Sequence, residues 1–154
     1  MDDKREQATL PDVASVFRQF FATLAPDKAS LQFDEQRDGE VYVRLIPANP
    51  EAAAIAARGG GQRRYELLVG RGTPFEIVPP RGPYAQLPPA EEVRAICTAV
   101  ISGNFREVVW TVGKTVTKTL GMLKLGDRTI QIKISHSILP SLLSSKKVFE
   151  YRAY

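Results

Sequence analysis

Apolar residues recur at two different periods along this chain, and the changes of period mark out its elements. In residues 9–24, TLPDVASVFRQFFATL, Val13, Val16, Phe17, Phe20 and Leu24 fall at helical spacing and Phe21 widens the stripe, which predicts an amphipathic helix. Thr9 and Asp12 have capping-box spacing, Pro11 suits a first turn and Pro26 blocks continuation. Residues 1–8 are polar and read as a flexible terminus. Alternation then takes over. Leu31 and Phe33, followed by Val41, Val43 and Leu45, form two strands about the hairpin signal Asp38-Gly39. The next stretch, PANPEAAAIAARGGGQRR, reads as a short surface helix capped by Asn49, begun at Pro50, and ended by Gly59 to Gly61.

Residues 63–70 and 74–78 form the next strand pair, joined through LLVGRGTPFEI. Its Gly-Arg-Gly-Thr raises the question of a phosphate-holding loop. A dinucleotide fingerprint needs a third glycine leading into a helix, whose N-terminus holds the pyrophosphate. Here that position is Phe75, and the prolines and β-formers after it make a strand, so Gly70 and Gly72 are read as turn residues supplying positive φ. The proline-rich stretch 79–89 is a stiff loop. A second helix spans 89–102, started by Pro89, favoured by Glu91 and Glu92 at its positive end and closed by Gly103. Its core stripe is Val93, Ile96, Cys97, Val100 and Ile101.

The remainder is a three-stranded meander over 105–112, 115–125 and 128–135, turning at Gly113-Lys114 and Gly126-Asp127. Ile130, Ile132 and Ile134 take one face of its last strand. Apolar parity changes along the middle strand, and Gly121 is the expected site of a bulge. A short helix is expected from Pro140, and VFEYRAY is a terminal strand candidate. The expectation is one α+β domain over residues 9–154: two main helices on one face of a mostly antiparallel sheet of about six to eight strands. The buried sheet face should carry Leu31, Phe33, Val41, Val43, Leu45, Leu67, Val69, Ile130, Ile132 and Ile134.

Charge changes this picture only in part. Residues 1–77 hold ten cationic side chains against twelve acidic ones, and residues 78–154 hold eleven against five, so the net charge of +4 arises in the second half. The chain shows no apolar run of membrane-spanning length and no signal-like leader, which gives a cytoplasmic expectation with no membrane partner. The one cysteine and one histidine exclude an internal disulfide and the usual zinc ligand sets. Cys97 lies in an apolar helix stripe, where a thiol acts as a small hydrophobe, and His136 sits at a strand end outside any Gly-x-Ser-x-Gly turn. Asp34, Glu35, Asp38 and Glu40 lack calcium-loop spacing, and Glu66 and Glu76 alternate with apolar neighbours as outward-facing strand carboxylates. The expectation is therefore no enzyme, no metal and no cofactor.

What remains is binding. A protein partner, in the manner of a bacterial immunity protein, inhibitor or chaperone, is the leading expectation, resting on a shared small helix-and-hairpin layout by analogy alone. Its expected contacts are Arg58, Arg63 and Arg64 of the glycine-rich stretch, Tyr84 of the proline-rich loop, and the tail aromatics Phe149, Tyr151 and Tyr154. The tail's other uses are an edge strand packed in cis or a homodimer contact. The alternative is nucleic acid, specifically RNA, held by Arg58, Arg63 and Arg64 together with Lys114, Lys118, Lys124, Arg128 and Lys133 on the outer face of the meander.

Overall fold

Local alternation and helical stripes become nine strands and two helices in the computed structural model, which describes residues 13–35, 41–59, 64–77, 89–136 and 144–154. The expectations for residues 1–8, the Thr9 cap, the Asp38-Gly39 turn, the proline-rich loop and the Pro140 helix lie outside the described residues. Helix α1 covers Val13–Phe21 and buries Val13, Ala14, Val16 and Phe17. Five strands follow in chain order: β1 Ala29–Glu35, β2 Val41–Pro47, β3 Ile55–Gly59, β4 Tyr65–Val69 and β5 Thr73–Ile77. Each pairs antiparallel with the next, giving one five-stranded sheet. Helix α2, Pro89–Ile101, leads into β6 Phe105–Val112, β7 Thr115–Leu125 and β8 Arg128–Ser135. Strand β9, Ser145–Glu150, returns to pair with β6, so a second antiparallel sheet has the order β8-β7-β6-β9.

The α+β class, the antiparallel pairing and the helix pair match the sequence, but the strands divide into two sheets rather than one. Both helices pack on the first sheet, and α2 also packs on β7, while β5 touches β7 and β8. One core results. It joins Phe17, Leu45, Ile55, Tyr65, Leu67 and Ile77 to Val93, Cys97, Val100, Phe105 and Leu123. Val43, Leu45, Leu67 and Val69 are buried as expected, while Leu31, Ile130 and Ile132 are partly buried against that core. Phe33 departs further from expectation. It is 40% exposed, with the Arg18 guanidinium 4.5 Å over its ring at the edge of the helix layer. Among the described residues no helix is long and apolar enough to cross a membrane.

Two local expectations are corrected. Residues 55–59 form strand β3 rather than part of a helix: Ile55 and Ala57 point into the core, opposite Leu45 and Val43 on one side and Val69 and Leu67 on the other. Alanine's helical preference is worth only tenths of a kcal/mol per residue, about what one added cross-strand contact returns, and here pairing on both sides outweighs it. The second correction concerns the bulge, which lies between Trp110 and Thr111 on β6, with Thr117 as the extra residue of β7. Gly121 stays in register between Glu107 and Ile132. A side chain there would collide with Thr73, so the glycine serves close approach between the two sheets.

Candidate binding surface

The Gly70–Thr73 turn is indeed a turn, with Gly70 at φ +63° and Gly72 at φ +113°. Its geometry also answers the phosphate question in an unexpected way, because the turn holds an anion that the chain itself supplies. The carboxylate of Glu107 on β6 is fully buried. The Arg71 amide donates to Oε2 at 2.9 Å and the Thr73 amide to Oε1 at 3.3 Å, while the Thr73 and Tyr151 hydroxyls each donate at 2.5 Å. Two turn amides, on either side of Gly72, converge on negative charge by the same principle as a phosphate loop. A carboxylate satisfied by its own fold is structural, and it ties β5, β6 and the C-terminal segment together.

That segment is sewn down in cis. Tyr151 stacks on Phe105 with ring centroids 5.5 Å apart, and Phe105 meets Phe75 edge-on at 6.2 Å. The Tyr154 hydroxyl donates to the Ala53 carbonyl at 2.7 Å, and its amide donates to the Ile101 carbonyl at the open end of α2. Arg152 pairs with Glu51. Phe149 is covered on one side by the Arg71 guanidinium at 4.0 Å. Two of the three tail aromatics expected to meet a partner are thus engaged within the chain.

Burial, reinforced by the neighbouring Glu107, raises the Tyr151 pKa, and burial likewise raises that of Tyr154. Below about 10, the ordinary tyrosine value, the hydroxyl is protonated in both folded and unfolded chains and its stabilising contribution is complete. Above that value the unfolded chain releases its protons first, so stability falls with rising pH. Urea midpoints at about pH 9 and about pH 11 should show this fall, and Tyr151→Phe should make it shallower. An unchanged slope in that variant would remove Tyr151 from the effect.

The groups with catalytic potential are dispersed. Cys97 is buried in α2, where desolvation pushes its thiol up to about 12. His136 is exposed at the end of β8, with its ring nitrogen 3.3 Å from the Thr119 hydroxyl. Glu66 and Glu76 do face each other across β4 and β5, each bound to an arginine. No group of three or more metal-ligating side chains occurs among the described residues.

The two outer sheet faces differ sharply in electrostatics. On the first, Arg44 pairs with Asp34 at 3.5 Å, Arg58 donates to Glu66 and to the Tyr42 hydroxyl at 2.6 Å each, and Arg64 pairs with Glu76 at 2.5 Å. Arg58 and Arg64, chosen from the sequence as contact residues, are therefore matched by carboxylates; Arg63 and Tyr84 lie outside the described residues. On the second sheet, pairing register aligns Lys146, Trp110 and Lys118 in one row, then Val148, Val108, Leu120 and Lys133, then Glu150, Arg106 and Met122. None of Lys118, Lys124, Lys133, Lys146 or Arg106 forms an ion pair with a described residue, and Glu150 is the one carboxylate in these rows. The Lys118 and Lys146 ammonium groups lie 4.4 and 5.9 Å from the Trp110 ring.

Compared with known proteins, the chain matches no protein-family model, no curated protein and no solved structure. The surface must be read from its own chemistry. Of the lysines proposed from sequence, Lys118, Lys124 and Lys133 share this face, and Lys114 occupies the exposed β6–β7 turn. Arg128 lies opposite Leu125 on the core-facing side, where its charge acts on Glu92 of α2; burial raises the Glu92 pKa and Arg128 opposes that rise. Sequence reasoning missed Arg106, Lys146 and Val148 and gave Trp110 no part in either candidate surface. Their signal was present in the alternation of Arg106, Val108 and Trp110, but the pairing of β9 with β6 was needed to place Lys146 and Val148 beside them.

Proposed function

We propose that this chain is a non-catalytic protein-binding domain, of the inhibitor or escort kind, and that it recognises its partner through the outer face of the β8-β7-β6-β9 sheet. One observation carries the reading: among the described residues this face leaves its lysines without an ion pair around an apolar centre, whereas the opposite sheet neutralises its arginines internally. Val148 is 48% exposed in the middle of the β9 edge; its cross-strand neighbour Val108 is buried beneath this face, and Leu120 beyond it is half-buried. Apolar centre and polar rim is the anatomy of protein interfaces, and a half-buried tryptophan flanked by lysines suits an interfacial anchor. A nucleic-acid platform stacks two or three bases on aromatic rings, and Trp110 is the one aromatic in these rows.

A photo-crosslinking residue placed at Val148 should give discrete protein adducts in cells, and the same probe at Gln32 on the other outer face should not. Lys118→Glu with Lys133→Glu should abolish those adducts while leaving the circular dichroism spectrum unchanged. Adducts to nucleic acid alone would reject the reading.

A further inference from the structure

The apolar row on this face runs across the strands, not along them. Val148, Val108 and Leu120 are cross-strand neighbours on β9, β6 and β7. At a strand spacing of about 4.8 Å the row is about 10 Å long, close to two helical turns of about 5.4 Å. Lys146 and Lys118 border it on one side, Arg106 between Glu150 and Met122 borders it on the other, and Lys133 stands at its β8 end, so the Lys146–Lys118 flank carries most of the positive charge. An occupant seated on that row must bring its own backbone hydrogen bonds, because the middle of a sheet face offers side chains but no free amides or carbonyls. A helix meets that requirement, and an extended strand does not. A second copy of the same face would set lysine against lysine.

Resting on the protein-binding reading above, we infer that the occupant is an amphipathic helix with acidic margins, laid across the strands with its apolar stripe on the exposed Val148 and half-buried Leu120, over the buried Val108. Its glutamates or aspartates would face Lys146 and Lys118 on one flank and Arg106 on the other. The charge complementarity sets the orientation and speeds encounter, while the apolar row and Trp110 supply the buried anchor.

The chain has one tryptophan, so Trp110 reports on this face without a label. The test titrates the intact protein with a synthetic peptide of about fourteen residues carrying leucine at i, i+3, i+4 and i+7 with glutamate on both flanks. Three further ligands are run beside it: the same composition scrambled, the same pattern with lysine for glutamate, and a short oligouridine. The acidic helical peptide should change Trp110 emission saturably. Lys118→Glu with Lys146→Glu should weaken it by about tenfold or more, and Arg44→Glu on the other face should not. If the charge reversals disturb folding, the lysine-patterned peptide makes the same comparison on the unaltered protein and should not bind.

Equal binding by the scrambled peptide would overturn the inference, since charge without helical patterning would then suffice. No binding by the acidic peptide, with the Val148 protein adducts intact, would overturn the helix and leave the protein-binding reading standing. Saturable oligouridine binding with no protein adduct would overturn both.

Discussion

Replacing Glu107 by alanine should lower the unfolding free energy by about 3–5 kcal/mol, measured as a shift of the urea midpoint at constant slope. The estimate follows from what the change leaves behind. Two turn amides and two hydroxyls, on Arg71, Thr73 and Tyr151, lose their common acceptor, the two on Thr73 in a fully buried place and the other two in a partly buried one. Each buried donor left unsatisfied costs about 1–3 kcal/mol, and partial collapse of the site recovers some of the sum. Against a typical domain stability of about 5–15 kcal/mol, this single substitution brings the protein close to unfolding. Glu107→Gln keeps the shape but turns an amide donor toward other donors, so it should also destabilise, by less than alanine. A midpoint unmoved by either change would show that the node carries no weight.

Gly121→Ala should be the second costly change, at about 1–3 kcal/mol from overpacking. Added carbon would meet the Thr73 side chain, with the methyl group nearest, and Thr73 cannot retreat without giving up its bonds to Glu107. Thr73→Ser removes that methyl and keeps the hydroxyl. In a double-mutant cycle the serine should therefore recover part of the alanine penalty, the hydroxyl at 2.7 Å keeping the rest, and the coupling between the two sites should exceed the error of the measurement. Strict additivity would mean that β5 and β7 do not press on one another there.

Much of the fold is legible where period and punctuation agree. The α2 stripe of Val93, Ile96, Cys97 and Val100 is buried, and the strand pair about Gly70–Thr73 forms as read. Legibility fails where a residue type has two meanings. The alanines before Arg58 favour helix in isolation, yet the β-branched Ile55 and the small Ala57 both suit a central strand lying under α1. Gly121 suggested a bulge because glycine relaxes the backbone, but its role is to admit Thr73. The division into two sheets was invisible, since alternation gives the faces of a strand and not its neighbours.

The candidate site divides along the same line. Lys118, Lys124 and Lys133 lie on one face of adjacent strands and are grouped from sequence. Arg58 and Arg64 looked equally available, but only cross-strand register reveals that Glu66 and Glu76 are already bound to them. The tail aromatics are the converse case: an exposed-seeming Phe-x-Tyr-x-x-Tyr pattern is occupied by long-range bonds to Glu107 and Ala53 that no local signal announces.

The sewn-down tail also bears on the order of events when the chain is made. Synthesis is vectorial, and Tyr151 and Tyr154 emerge after every group they grip: the Ala53 carbonyl, the end of α2 and the Glu107 carboxylate. A chain that has grown as far as Glu150 contains every strand of both sheets, yet its buried carboxylate still lacks one of its donors. The Glu107 node is thus completed only by a residue made after all nine strands, so the junction between the two sheets matures later than the strands that form it.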